Sequence, residues 1–108
     1  PASGSVDDIA FDEVRQRVAA GTITLIDVRE PDEYAAGHVP GAVNLPMSKF
    51  NPAALPVSTS EKPVVVMCET GYRSGRAEAF LAKNGREDVR NFKGSMREWT
   101  TKGAPVVK

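Results

Sequence analysis

Four consecutive apolar residues, Val64 to Met67, run into the only cysteine, Cys68, and then into a glycine-bracketed loop. No other stretch narrows the possible folds as much. The run is long enough for a strand buried on both faces and too short for a free-standing helix. Gly71 and Gly75 flank Tyr72, Arg73 and Ser74, after which Ala77, Phe80 and Leu81 recur at three- and four-residue spacing. That period suits a helix with one face on a sheet, running from about Ser74 to Lys83. Residues 64–79 therefore read as strand, tight loop and helix, with a thiol where the strand ends.

The thiolate is the nucleophile of cysteine, and a free thiol with a pKa near about 8.5 is mostly protonated at neutral pH. A loop curled around the sulfur can aim backbone N–H groups at it, and the helix that follows adds its own unsatisfied donors. His38, the only histidine, is far away in sequence. Activation of Cys68 is therefore expected from preorganised amides and Arg73 rather than from a Cys/His pair. The same cradle, Glu69, Thr70, Gly71, Tyr72 and Ser74, would hold an oxyanion of sulfur, phosphorus or arsenic. The competing reading makes Cys68 one more small hydrophobe at a strand end.

The other elements follow in order. Residues 1–5 read as a frayed tail, and Ser5 to Ile9 as a short edge strand. Phe11, Val14 and Val18 form a helical stripe that Gly21 ends, with Asp12 and Glu13 in its first turn. Thr22 to Val28 is a β-branched inner strand that delivers Asp27 and Arg29 to one rim. Pro31 opens a short helix over Asp32 to Ala36. Ala42 to Leu45 supplies a short strand, Asn51 to Leu55 a short helix or turn, Val89 to Phe92 a final strand, and Met96 to Thr101 a last helix with Trp99 turned inward. This alternation predicts an α/β three-layer sandwich: one domain over residues 1–108, with a mainly parallel five-stranded sheet and helices on both faces. Sites in such sheets collect beyond the carboxyl ends of the strands, where Cys68 falls.

Composition removes several function classes. Fourteen basic residues balance fourteen acidic ones among 108, so no general attraction to nucleic acid or an anionic membrane is expected. One cysteine excludes an intrachain disulfide and a multi-cysteine metal site, and no cofactor or metal is expected. His38, in a Gly-His-Val-Pro-Gly turn, is expected to satisfy backbone groups. No apolar run is long enough to span a membrane. A cytoplasmic location is favoured, with an exported one if an upstream leader has been removed.

Cys68, Glu69, Thr70, Gly71, Tyr72, Arg73 and Ser74 resemble the active-site loop of single-domain rhodanese-type sulfurtransferases, C-x-x-G-x-R-S, whose cysteine carries a persulfide. Leu25 to Glu30, LIDVRE, and Gly37 to Pro46, GHVPGAVNLP, resemble two further stretches of that family in the same order, and the likeness extends from about Val6 to Trp99. It implies that Cys68 takes sulfane sulfur from a small anion such as thiosulfate and passes it to cyanide, a thiol or a partner protein. It also implies that Arg73 binds the donor or braces the loop, and that Asp27 and Arg29 buttress the wall behind it. The sequence departs from the family at Lys93 and Gly94, where two glycines are usual; Lys93 is expected to be solvated, the alternative being an ammonium beside the pocket. Tyr72 and Trp99 are candidates for the entrance, where they would select a larger thiol, and equally for packing.

Two rival functions remain open. A cysteine phosphatase or arsenate reductase uses C-x5-R, but here only Glu69 to Tyr72 separate thiol from arginine, which makes a smaller bowl. Alternatively, the chain is a non-enzymatic sulfur carrier or binding module.

Overall fold

The computed structural model describes residues 8–108. Four strands form one parallel sheet in the order β2-β1-β3-β4: β1 Thr24–Asp27, β2 Val43–Asn44, β3 Val64–Met67 and β4 Arg90–Asn91. The helices are α1 Phe11–Ala20, α2 Pro31–Ala36, α3 Tyr72–Lys83 and α4 Ser95–Thr101. Two single 3-10 turns, Met47–Lys49 and Pro52–Ala54, occupy the irregular connection before β3.

The α/β sandwich is as expected, but the sheet has four strands among the described residues rather than five. The proposed edge strand at Ser5 to Ile9 lies mostly outside those residues. What is described of it is a parallel bridge between Asp8 and Asn91 and an Ile9 N–H bond to the Asn91 carbonyl at 3.1 Å. Both outer strands are two residues long, shorter than the apolar runs that suggested them, because only those residues find a ladder partner.

The core explains the apolar sequence of β3. Val65 and Met67 point to one face, among Phe11, Val14, Leu25, Phe92, Met96 and Trp99. Val64 and Val66 point to the other, among Ile26, Val28, Ala77, Leu81 and Val89. A strand covered on both faces has no wet side, so it loses the polar alternation of a half-exposed strand. α1 and α4 cover the first face and α3 the second. Trp99 is fully buried and its indole N–H donates to the Pro105 carbonyl at 2.6 Å, so it is a packing residue and does not line an entrance. Among the described residues no helix is long and apolar enough to cross a membrane.

Register places the chemistry. Asp27 lies opposite Met67, so the chain leaving β1 and the chain leaving β3 emerge side by side at the carboxyl edge. Val28 then donates its N–H to the Met67 carbonyl at 2.9 Å, which carries the pairing one residue past the strand. The loop after β3 thus starts against a wall built by residues 27–29.

Two adjacent positions on α3 test the layer assignment. Leu81 is fully buried, whereas Phe80 is 48% exposed and meets only the edge of the Phe50 ring among aromatic neighbours, at 6.3 Å. Leu81→Ala is expected to cost about 2–5 kcal/mol, and Phe80→Ala about 1 kcal/mol or less. Urea denaturation midpoints of the two variants measure the difference.

Candidate active site

Cys68 follows β3 directly, and the loop behind it turns back so that polar hydrogens face its sulfur. The Gly71 N–H donates to Cys68 Sγ at 3.1 Å and the Ser74 hydroxyl lies 3.5 Å from it. Cys68 is fully buried. Burial is the largest single influence on the thiol and pushes its pKa up. The Ser74 hydroxyl together with the N–H groups of Ser74, Thr70 and Gly71 outweighs it, so the thiol is held below its ordinary value. The sulfur is therefore enclosed, but it is enclosed by donors that favour the thiolate.

Gly71 makes this turn possible. Its φ of 90° lies in the left-handed region, and a Cβ there would collide with the carbonyl of Lys93. Both constraints point to glycine. Its own carbonyl accepts the Gly75 N–H at 2.9 Å and so starts α3.

The start of α4 supports the loop from the other side. The Ser95 hydroxyl accepts the Cys68 N–H at 3.0 Å and donates to the Phe92 carbonyl at 2.8 Å. Met96 and Arg97 donate their N–H groups to the carbonyls of Cys68 and Glu69 at 3.1 and 2.9 Å. Ser95 has a φ of 52°, a left-handed conformation that costs a non-glycine residue about 1 kcal/mol or more. Reasoning from sequence missed Ser95. Its position directly after the departure at Lys93 and Gly94 was the only available signal.

Arg73 reaches across to α2. Its two terminal nitrogens meet the two oxygens of Glu33 at 2.7 and 2.9 Å, a two-pronged pair. Glu33 also accepts the Glu30 N–H at 3.0 Å as part of the capping box of α2. The Arg73 hydrogen bonds, opposed by burial and helped by Glu30, hold the Glu33 carboxyl at about 2 instead of 4.5, and the same pair pushes the Arg73 pKa up.

Asp27 and Arg29 form a second, buried pair. Arg29 Nη2 lies 2.8 Å from Asp27 Oδ2, its Nε and backbone N–H also reach Asp27, and Nη2 donates to the Gly37 carbonyl at 2.7 Å. Arg29 Nη1 lies 3.6 Å from the exposed Glu69 carboxylate, which links this wall to the loop. Asn44, which sequence reasoning also missed, donates to the carbonyls of Asp27 and Arg29 at 3.0 and 2.8 Å and fixes the chain between them.

The remaining candidates are peripheral. Tyr72 is 68% exposed beside Arg76, whose guanidinium lies 5.9 Å from the ring centre. His38 stacks on Tyr34 at 3.8 Å, and its Nδ1 lies 2.9 Å from the Tyr34 carbonyl, so this nitrogen carries the hydrogen. Its backbone pairs with Val107 in an antiparallel bridge. Lys93 is exposed and lies 3.6 Å from Asp8; what approaches the loop is its carbonyl, against Gly71, and not its ammonium.

Two predictions follow from this geometry. Ser74→Ala removes a donor that favours the thiolate, so the Cys68 pKa is expected to rise toward the ordinary thiol value; ultraviolet titration of thiolate absorbance would follow it. Glu33, held at about 2 in the folded chain, contributes stability that is fully present above its ordinary value of 4.5 and is lost as the pH falls toward about 2. Glu33→Gln is expected to lower stability at pH 7 by about 1 kcal/mol, because the pair is partly exposed, and to flatten the acid limb of the stability curve.

Comparison with known proteins gives the same assignment along the length of the chain. Residues 10–102 match the family model described as Rhodanese-like domain. The uncharacterised protein YqhL of Bacillus subtilis is 44% identical over 75 residues, covering 69% of this chain and 59% of its own length. A protein named sulfurtransferase from Allochromatium vinosum is 36% identical over 107 residues, covering 94% of this chain and 95% of its own. Among solved structures, a human single-domain sulfurtransferase superposes with a TM-score of 0.75 at 31% identity, covering 91% of this chain and 98% of its own. The chain spans about half the length of several curated relatives that it matches. With three sequence motifs, a parallel sheet and a donor-lined cysteine loop all in agreement with that match, the chain belongs to the rhodanese-like family.

Proposed function

We propose that the protein is a sulfurtransferase in which Cys68 carries sulfane sulfur as a persulfide. The observation that carries this reading is the convergence of the Gly71 N–H and the Ser74 hydroxyl on Cys68 Sγ, with the Thr70 and Ser74 amides beside them. A nucleophile with no histidine beside it needs another means of favouring the anion, and these donors supply it.

In the first half-reaction the Cys68 thiolate attacks the outer sulfur of thiosulfate. A bond forms between Sγ and that sulfur, the bond from it to the sulfonate sulfur breaks, and sulfite leaves with the electron pair. In the second, an acceptor such as cyanide or a thiolate attacks the outer sulfur of the persulfide. The bond from Sγ to that sulfur breaks and its electron pair restores the thiolate. No external oxidant or reductant enters either step. Glu69, Thr70 and Tyr72 of the same loop are exposed to solvent.

Arg73 acts as a brace in this scheme, because Glu33 already occupies its two terminal nitrogens. Asp27 and Arg29 hold the opposite wall and reach the loop through Glu69. Phosphate hydrolysis fits less well, since the four residues between Cys68 and Arg73 close around one sulfur atom rather than a tetrahedral dianion.

Incubation with thiosulfate and cyanide is expected to give thiocyanate, and thiosulfate alone is expected to add about 32 Da to the intact protein, removable by a reductant. Cys68→Ser is expected to abolish both. Phosphate release from an aryl phosphate without thiocyanate formation would overturn the assignment.

A further inference from the structure

At the end of the sheet opposite Cys68, a cavity of about 310 Å³ lies between α1, the start of β4 and the connection that leads into β3. Pro63 on its wall directly precedes β3 and Cys68 directly follows that strand, which sets the two roughly 16 Å apart at the usual rise per residue. The charged lining is Glu13, Arg17, Asp88 and Arg90. Arg17 is fully engaged, by Glu13 at 2.9 Å and by the carbonyls of Thr22, Ser60 and Glu61 at 3.1 Å. Asp88 meets Arg86 with its two oxygens at 3.0 and 3.2 Å and also accepts the Ser58 N–H.

Arg90 is the exception. It is partly buried, yet among the described residues its guanidinium has neither an ion pair nor a hydrogen bond. Each of the other arginines that is at least partly buried, Arg17, Arg29, Arg73 and Arg86, faces a carboxylate. A guanidinium that has given up part of its water for no partner gains from an anion that reaches it.

Ser58 and Thr59 add two hydroxyls to the lining. Ser58 Oγ accepts the Val64 N–H and Thr59 Oγ1 accepts the Lys62 N–H, both at 2.9 Å, which fixes the two oxygens. A hydroxyl that accepts from an amide keeps its one hydrogen to donate, and neither hydrogen is engaged among the described residues. The cavity therefore offers a cation and two positioned donors.

We propose that this cavity is a second ligand site, which takes a phosphoryl group through the Arg90 guanidinium and the hydroxyls of Ser58 and Thr59. The planar fork of arginine matches two phosphate oxygens with parallel hydrogen bonds, and the hydroxyls donate to the others. A carboxylate has only two oxygens in one plane and leaves the hydroxyl donors unused. Arg17, Arg86 and Arg90 against Glu13 and Asp88 leave one net positive charge, so the site favours an anion without holding it tightly, with a Kd on the order of 1 mM. This assignment goes beyond the persulfide reading of Cys68 and does not rest on it.

The test is a titration of the nitrogen-15-labelled protein with inorganic phosphate, phenyl phosphate and benzoate at constant ionic strength, followed by two-dimensional NMR. Both phosphates are expected to give saturable shifts at the amides of Ser58, Thr59 and Ser60 and at the Arg90 Nε–H, and benzoate to bind about tenfold more weakly. Tighter binding of phenyl phosphate than of inorganic phosphate assigns the site to a phosphate monoester, and equal binding assigns it to the phosphoryl group alone. Arg90→Gln is expected to weaken binding at least about tenfold, the size of a charged hydrogen bond, and Arg90→Lys less. Arg15→Gln, which removes an exposed cation from α1, should leave binding unchanged. Shifts that do not saturate, saturable shifts confined to residues 69–74, or binding that survives Arg90→Gln would overturn the assignment; the first two outcomes are read from the unsubstituted protein and need no variant to fold.

Discussion

A sulfur anion withdrawn from water must be met by hydrogen-bond donors, and much of the architecture around Cys68 answers that requirement. Burial alone would hold the thiol protonated, because desolvation penalises the charged form. The donors come from one short stretch, residues 70–74, whose left-handed turn at Gly71 bends the main chain back on itself. An amide in a folded loop is already oriented before any substrate arrives, so it stabilises charge without reorganising. Side chains on longer stems would lose conformational freedom for the same effect.

The supports of this loop differ in kind. On one side are ion pairs: a deeply buried one between Asp27 and Arg29, and a half-exposed one between Glu33 and Arg73. On the other side are neutral hydrogen bonds from the start of α4 and the Ser95 hydroxyl. A buried ion pair adds little net stability but strongly penalises the loss of either partner, so it fixes geometry more than it adds energy. The hydroxyl at Ser95 has a similar effect by joining β4's exit to the Cys68 amide. Loop position is thereby referred to three separate strands.

Local patterns were readable from sequence because their causes are local. The apolar run of β3, the turn glycine and the helical period of α3 each depend on neighbours a few residues away. Arg73 and Glu33 are 40 positions apart, and nothing in either segment names the other. Ser95 was hidden for a related reason, since a serine after a glycine reads as an ordinary turn until the Cys68 amide is seen to need it. The outer strands were read as longer than they are because apolar composition reports burial, whereas a ladder also needs a partner at the right register. Val89 and Phe92 are buried without belonging to β4.

The outermost strands carry a further meaning for the protein in a crowded solution. Val43–Asn44 and Arg90–Asn91 offer two residues each, and the Asn91 carbonyl on the latter's flank is already occupied by Ile9. A neighbouring molecule looking for unpaired main chain to extend finds almost no template there, although the middle of the sheet is a run of valines that would aggregate readily if laid bare. The greasiest segment of the chain is thus kept innermost, with brief, polar-tipped borders standing between it and self-association.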